Sequence, residues 1–236
     1  MKNIKEMKKA WEEEYKRQGI PSSFRKDPTK PVVEFIKWLK EKNNIQTGEA
    51  ADIGCGRGRN SFYLASQGFK VTGIELLEDN VDAVNAEAKL KNLPIQAFAV
   101  DASATWPIGS DSLDIVIDVF CYKHIINKEK QTNYRKELWR TLKNQGIYFI
   151  SLASENDGFY GPLLKNSTNL KDKLVIDPYS NIPSFLYSQE GLVNEFSTSF
   201  EIINIAEQIS SSPMYGKEYS RKVINAMFKK IPNSLT

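Results

Sequence analysis

Cysteine occurs only twice in the 236 residues, at Cys55 and Cys121, and histidine only once, at His124. Two thiols cannot staple a disulfide-built fold, and with a single histidine they fall short of a structural zinc set. No metal site is expected, and a reducing compartment suits such a chain. Long apolar runs are missing as well. The opening MKNIKEMKKAWEEEYKR is charged throughout, without the apolar core of a signal peptide, and no later run is long enough to span a bilayer. A cytoplasmic protein with no membrane partner is the expectation. An excess of one charge sign is also absent. Lys plus Arg number 32 against 29 Asp plus Glu, a formal charge of +3, which argues against unspecific nucleic-acid binding. There is no internal repeat and no low-complexity tract. What is present is 41% hydrophobic and 11% aromatic residues, enough for a core in one generous domain.

The pattern along the chain begins with a polar helix over about residues 4–17, carrying Trp11 and Tyr15 on one side. GIPSSFRKDPTKP breaks it. PVVEFIKWLKEK follows as a helix with Pro31 near its start and Val32, Phe35, Ile36 and Leu39 on one face. Short apolar strands then alternate with helices: EAADIGCG, RNSFYLASQG, KVTGIEL, EDNVDAVNAEAKLKNL, IQAFAVDA, LDIVIDVF, a helix over 128–146 ended by Gly146, and IYFISLAS. That rhythm predicts an α/β fold, a doubly wound, Rossmann-like seven-stranded sheet with helices on both faces. The last two strands, FEIINIAEQI and RKVINAMFKK, have no helix between them, so the sheet is expected to be mostly parallel with an antiparallel final strand. Residues 155–187 lose the rhythm and are rich in Pro, Gly and aromatics, as a functional loop or lid would be.

The chemistry concentrates in ADIGCGRGRNSFYLASQGFKVTGIEL. Gly54, Gly56 and Gly58 follow the first strand and open a helix, so ligand can approach the main chain and meet free N–H groups. No Lys-Ser or Lys-Thr follows, which excludes a triphosphate loop. The third glycine comes one residue early for a dinucleotide turn, and Asp52 would repel a pyrophosphate. Asp52 suits an ammonium, and Glu75 at the end of the second strand suits ribose hydroxyls. A ligand with both ends is S-adenosylmethionine.

DIGCGRGRN followed by GIEL resembles the first two motifs of class I S-adenosylmethionine-dependent methyltransferases. AVDAS at 99–103 resembles their third-strand motif, and LDIVIDVF their fourth. GRNSFYLASQGFKVTGIE is similar to the tellurite-resistance and thiopurine-like small-molecule branch. The resemblance implies a methyltransferase that uses S-adenosylmethionine, with a cofactor set of Asp52, Gly54, Cys55, Gly56, Asn60, Glu75, Leu76, Asp101, Ala102, Asp118 and Val119. It also implies one domain over residues 1–236, with a helical lid at about 1–30 and the 155–187 insertion as a cap on the acceptor site.

Methyl transfer from a sulfonium needs mainly positioning and exclusion of water. DVFCYKHI should face the methyl group. It lacks the N/D-P-P-Y of base methylation, and Cys121 follows no proline, so it is expected to pack. His124 has an ordinary pKa suited to a general base, and Tyr122 has a similar claim. Trp11, Tyr15, Phe120, Phe159, Tyr160 and Tyr179 are the expected acceptor-pocket aromatics, with Tyr215 and Tyr219 as further lid candidates. Arg25 could meet a carboxylate or stay solvated, and Lys123, Lys128 and Lys130 read as a solvated face. A small-molecule acceptor is the expectation. RNA or protein methylation and a non-catalytic binding module are the competing readings.

Overall fold

The computed structural model describes residues 3–166 and 173–232. Three helices come first: α1 Ile4–Arg17, α2 Pro21–Phe24 and α3 Lys30–Lys42. The apolar runs then become strands: β1 Gly48–Ile53, β2 Phe69–Glu75, β3 Ile95–Ala99, β4 Leu113–Val119 and β5 Leu142–Ala153. They alternate with α4 Arg59–Ser66, α5 Glu78–Leu90 and α6 Lys128–Thr141. After β5 come α7 Tyr160–Lys165, β6 Leu174–Ile176, β7 Pro183–Phe185 and α8 Gln189–Phe196, and the chain closes with β8 Phe200–Met214 and β9 Lys217–Lys230.

The main sheet has seven strands in the order β3-β2-β1-β4-β5-β9-β8. β1 pairs in parallel with both β2 and β4, and only the last strand, β9, runs against β5. This is the expected Rossmann-like sheet. Central strands buried on both faces explain the unbroken apolar run of Ile115, Val116 and Ile117, each 0% exposed. One face packs Val32, Phe35, Ile36 and Leu39 of α3 and Leu64 of α4. The other packs Tyr134 and Leu138 of α6 and Leu192 and Phe196 of α8. Among the described residues, no helix is long and apolar enough to cross a membrane.

Several boundaries differ from the sequence expectation. α6 stops at Thr141, not at Gly146, because Leu142 already pairs with Leu113, and the 112 and 111 N–H groups take the carbonyls of Thr141 and Arg140. Sheet pairing overrides the helix propensity of LKNQ. The closing strands are longer than their apolar runs, since β8 and β9 pair as far as Met214 and Lys217. The 155–187 segment carries α7 and the β6–β7 hairpin. Its residues 167–172 lie outside the described residues.

A further apolar cluster joins this segment to the rest: Phe159, Tyr160, Leu164, Val175 and Leu186 pack with Ile20 and Met214. Asp157, fully buried, organises it. One oxygen takes the N–H groups of Phe159 and Tyr160, and the other takes Arg221 Nε at 2.8 Å and the Lys222 N–H. The start of α1 is closed by a capping box between Asn3 and Glu6. Its far end is held by buried Glu14, whose Oε1 accepts from the N–H groups of Gly19 and Ile20 and from Ser23 Oγ.

Candidate active site

The glycine turn leaves β1 with φ of 71° at Gly54, 56° at Gly56 and 79° at Gly58, the left-handed region that side chains disfavour. A Cβ on Gly56 would lie 2.4 Å from the Tyr15 hydroxyl, so α1 closes directly onto the turn. The N–H groups of Gly54 and Cys55 both donate to the Ile74 carbonyl, which locks the turn against the end of β2.

Beyond the carboxyl ends of β1 to β4 lies a cavity of about 460 Å³. Gly54, Ile74, Glu75 and Leu76 form one wall, and Val100 to Ser103 the next. Val119, Phe120, Cys121 and His124 form a third, continued by Ile125, Ile126, Asn127 and Lys130. The cover is one face of α1, with Met7, Trp11 and Tyr15 at four-residue spacing behind Asn3 and Ile4. A smaller recess adjoins it, sharing Tyr15, Ser22, Gly54 and Val119 and lined in addition by Cys55, Gly56, Asn60, Arg25, Arg57 and Arg59. Arg57 also stands over the Tyr15 ring, 5.1 Å from its centroid. Burial pulls the pKa of Arg59 down, opposed by the pull of Tyr15 and Asp52.

The four acids at the strand ends have different surroundings. Glu75 faces the cavity; its carboxylate accepts from the Gly56 and Leu77 N–H groups, each at 3.0 Å, while burial pushes its pKa up. Asp101 lines the cavity too. Burial opposes its ionisation, but the Ser103 N–H and hydroxyl and Lys130 Nζ at 2.9 Å outweigh it and hold its pKa below the ordinary value. Asp52 and Asp118 line neither space. Asp52 lies beneath the turn, 2% exposed, accepting from Ser61 Oγ at 2.6 Å, with burial pushing its pKa up to about 6. Asp118 is fully buried and accepts from the Cys121 and Tyr122 N–H groups and the Tyr134 hydroxyl. The sequence suggested ligand contact for both acids, whereas neither side chain lines the cavity or the recess. Both hold the walls from behind.

His124 and Trp11 meet edge to face in the cavity, with centroids 5.0 Å apart. His124 Nδ1 lies 2.8 Å from the Pro183 carbonyl. A carbonyl can only accept, so Nδ1 carries the proton and Nε2 is the bare nitrogen. Burial, then the Lys123 charge, lowers its pKa to about 3, against the near-neutral base expected from the sequence. Tyr122 is a correction: its ring is 0% exposed and turned into the core, with its hydroxyl on Glu195 and Arg135. Phe159, Tyr160 and Tyr179 are likewise away from the cavity. Phe159 and Tyr160 are buried in the insertion cluster, and Tyr179 stacks on Tyr215 at 4.4 Å, with Tyr219 against Phe159. Only Phe120, Trp11 and Tyr15 of the expected pocket aromatics line the cavity. Lys123 is 1% exposed instead of solvated, and Lys130 pairs with Asp101 at the rim. Cys121, expected to pack, lines the wall. Met7 and Ile4 were findable from the period of α1. Arg57 and Arg59 stand inside the glycine motif, where no sequence pattern set them apart as ligand donors.

A family model described as a methyltransferase domain matches residues 50–146. The ubiquinone biosynthesis O-methyltransferase of Rickettsia conorii is 31% identical over 122 residues, 51% of this chain and 40% of that protein. That of Rickettsia bellii is 29% identical over 130 residues, 55% and 51% of the two chains. The chain thus spans about half the length of the curated relatives it matches. Among solved structures, the 1,6-didemethyltoxoflavin-N1-methyltransferase of Burkholderia thailandensis, solved with 1,6-didemethyltoxoflavin and S-adenosylhomocysteine, superimposes with a TM-score of 0.70 at 15% identity. It covers 98% of this chain and 91% of that one. Residues 50–146 thus resemble a methyltransferase domain in sequence, and the Rossmann-like fold that carries them is shared with that solved methyltransferase.

Proposed function

We propose that the chain uses S-adenosylmethionine to methylate a small-molecule acceptor. The observation that carries the reading is that Glu75 and Asp101, the acids ending adjacent strands, open into one cavity whose walls between them, Ile74, Leu76, Val100 and Ala102, are apolar. That slot fits a flat base with an amino donor at one end and ribose hydroxyls at the other. Glu75 would accept from the ribose, Asp101 from the adenine amino group, and Leu76 and Ala102 would sandwich the ring. The arginine recess beside Gly54 and Gly56 fits the carboxylate of the methionine portion, with Arg25, Arg57 and Arg59 available as donors. Asn60 braces this side by accepting from the Thr29 N–H and hydroxyl. Asp52, Cys55, Asp118 and Val119 shape the walls.

The cofactor, when bound, supplies an electrophilic methyl on a sulfonium. The chain has to hold the acceptor in line and keep water out. Trp11, Phe120, Cys121, His124, Ile125 and Ile126 form the apolar and aromatic end suited to that task. His124 Nε2 can accept one hydrogen bond from an acceptor and so orient it. Residues 1–30 act as the lid. The 155–187 segment serves as the cap by supporting Trp11 and Phe120 from behind, since both pack against its cluster. The small-molecule relatives support the acceptor class, and two free thiols suit a cytoplasmic setting.

Calorimetry with S-adenosylhomocysteine tests the cofactor assignment, with binding expected in the wild type and weakened in Glu75→Ala and Asp101→Ala. Transfer of labelled methyl to small-molecule extracts, and not to bulk RNA or protein, tests the acceptor. No binding by the wild type refutes the first, and label confined to macromolecules refutes the second.

A further inference from the structure

Lys123 is the buried charge that the site leaves unexplained. It is the middle residue of the 3-10 turn Tyr122–His124, between Phe120 and His124 of the cavity wall. It is 1% exposed, and among the described residues no group accepts a hydrogen bond from its Nζ. Its neighbours are rings: Nζ stands 3.6 Å from the Tyr160 centroid and 5.5 Å from that of Phe120. Arg221 faces the same tyrosine at 5.6 Å. The two acids acting on Lys123 are engaged elsewhere. Asp157 serves Arg221 and three backbone N–H groups, and Asp177 serves the Tyr179 and Ser180 N–H groups and the Tyr215 hydroxyl. An ammonium out of water and without acceptors is costly, and ring faces return only part of that cost. Burial, reinforced by Arg221, accordingly lowers its pKa to about 7.

Phe120 is the partition between this ammonium and the cavity. Its ring lines the cavity and flanks Nζ. Its φ of 68° is one that bulky residues rarely adopt, and its N–H is pinned to the Ser151 carbonyl at 2.8 Å. A strained backbone at such a wall fixes where a side chain is presented, so opening a way to Nζ requires the ring itself to change rotamer. Lys130, a cation lining the cavity, is already paired with Asp101.

We infer that Lys123 recognises the acceptor, and that the acceptor carries an anionic oxygen, a carboxylate or an ionised acidic hydroxyl, which Nζ receives when the Phe120 ring turns aside. The inference rests on the methyltransferase reading. An incoming anion supplies the partner that the folded chain lacks, so the cost of the orphaned charge is recovered as affinity.

The test uses the full chain at pH 6.5 with S-adenosylhomocysteine present. Two matched pairs of probes are titrated, benzoate against benzamide and 2,4-dinitrophenolate against 2,4-dinitroanisole. At least one anion should bind about tenfold more tightly than its neutral partner, and the pair that discriminates identifies the oxygen type. Lys123→Met should erase the preference, leave S-adenosylhomocysteine affinity in place and raise the melting temperature by removing a buried charge. Phe120→Ala should strengthen anion binding and provides the test if Lys123→Met does not fold. Equal affinity within both pairs, a preference that survives Lys123→Met, or no gain in Phe120→Ala overturns the inference. A wild type that binds no S-adenosylhomocysteine overturns the methyltransferase reading instead.

Discussion

Asp118 Oδ2 accepts the Tyr134 hydroxyl at 2.8 Å, tying the end of β4 to α6 inside the core. The same carboxylate takes the N–H groups of Cys121 and Tyr122 and so fixes the turn that carries Lys123 and His124. Burial pushes its pKa from 3.8 up to about 7 despite these donors, with Asp52 adding repulsion. An acid whose pKa is raised by folding holds its proton more tightly in the native state. Its contribution is full below the ordinary value and is lost as pH rises through about 7. Asp52, raised to about 6, acts in the same direction. His124, up to its ordinary 6.5, and Lys123, above about 7, act the other way, so the signature of Asp118 is the difference in melting temperature between wild type and Asp118→Asn, which should fall between pH 5 and 7. Asp118→Asn should keep the fold. Its amide oxygen can retain the backbone donors, and the Tyr134 hydroxyl can turn toward Tyr148, 3.2 Å away. Calorimetric scans of both proteins across this pH range decide it, and a difference that stays constant would place the titration elsewhere.

Glu75 and Asp101 should separate in their effects. Glu75 holds the Gly56 and Leu77 N–H groups, so Glu75→Ala loses both a ligand contact and a brace on the glycine turn. About a 10- to 100-fold loss of S-adenosylhomocysteine affinity is expected, together with a lower melting temperature. Asp101 is partly exposed and braces only its own turn and Lys130. Asp101→Ala should lose about 3- to 10-fold in affinity with little change in melting. Calorimetry and thermal scans on the same samples check both, and full affinity in Glu75→Ala would refute its assigned contact.

The sequence displayed the glycine-turn half of this cavity far better than the half lined by Trp11, Phe120 and His124. The glycine turn, Glu75 and Asp101 lie on a short stretch where strand, turn and helix dictate position locally. The other half is assembled by long-range packing, which local pattern does not encode. Phe159 and Tyr160 look like pocket aromatics by composition, yet Asp157 and Arg221 draw them into a separate cluster. Lys123 follows the pattern of a surface lysine until the insertion closes over it. The early start of β5 at Leu142 has the same origin, because pairing with β4 outweighs a helix-favouring segment.

His124 should not give a titrating limb to the rate. Burial and the Lys123 charge keep its imidazole neutral above about pH 3, and its Nδ1–H is committed to Pro183. His124→Phe preserves the ring facing Trp11 and removes Nε2. Turnover should stay within about tenfold of wild type, below the 10²-fold or greater loss expected for a general base. The shape of the rate profile from pH 5 to 8 should be unchanged. A loss of two orders of magnitude, or a limb that disappears in the variant, would restore the base.

Glu14 governs the lid from its fixed end. Its carboxylate is 0% exposed and satisfies the Gly19 and Ile20 N–H groups and the Ser23 hydroxyl, while Arg17 beside it reaches the Tyr179 carbonyl at 2.5 Å. The other end of α1 is held over the cavity by Trp11 on His124 and by one exposed ion pair, Lys8 to Glu78. Exposed pairs contribute little, so the buried end carries the attachment. Glu14→Ala strands two donors, the Gly19 and Ile20 N–H groups, since Ser23 Oγ keeps the Ile20 carbonyl at 2.8 Å; the cost is roughly 1–3 kcal/mol for each that stays buried. The cheapest relief is for the α1–α2 connection to open and take α1 off the cavity. Trypsin should then cut after Lys16 or Arg17 much faster in Glu14→Ala than in wild type, and S-adenosylhomocysteine should slow that cleavage by favouring the closed helix. Lys8→Ala should leave the cleavage rate unchanged. Equal cleavage of Glu14→Ala and wild type would show that α1 is held from its cavity end instead.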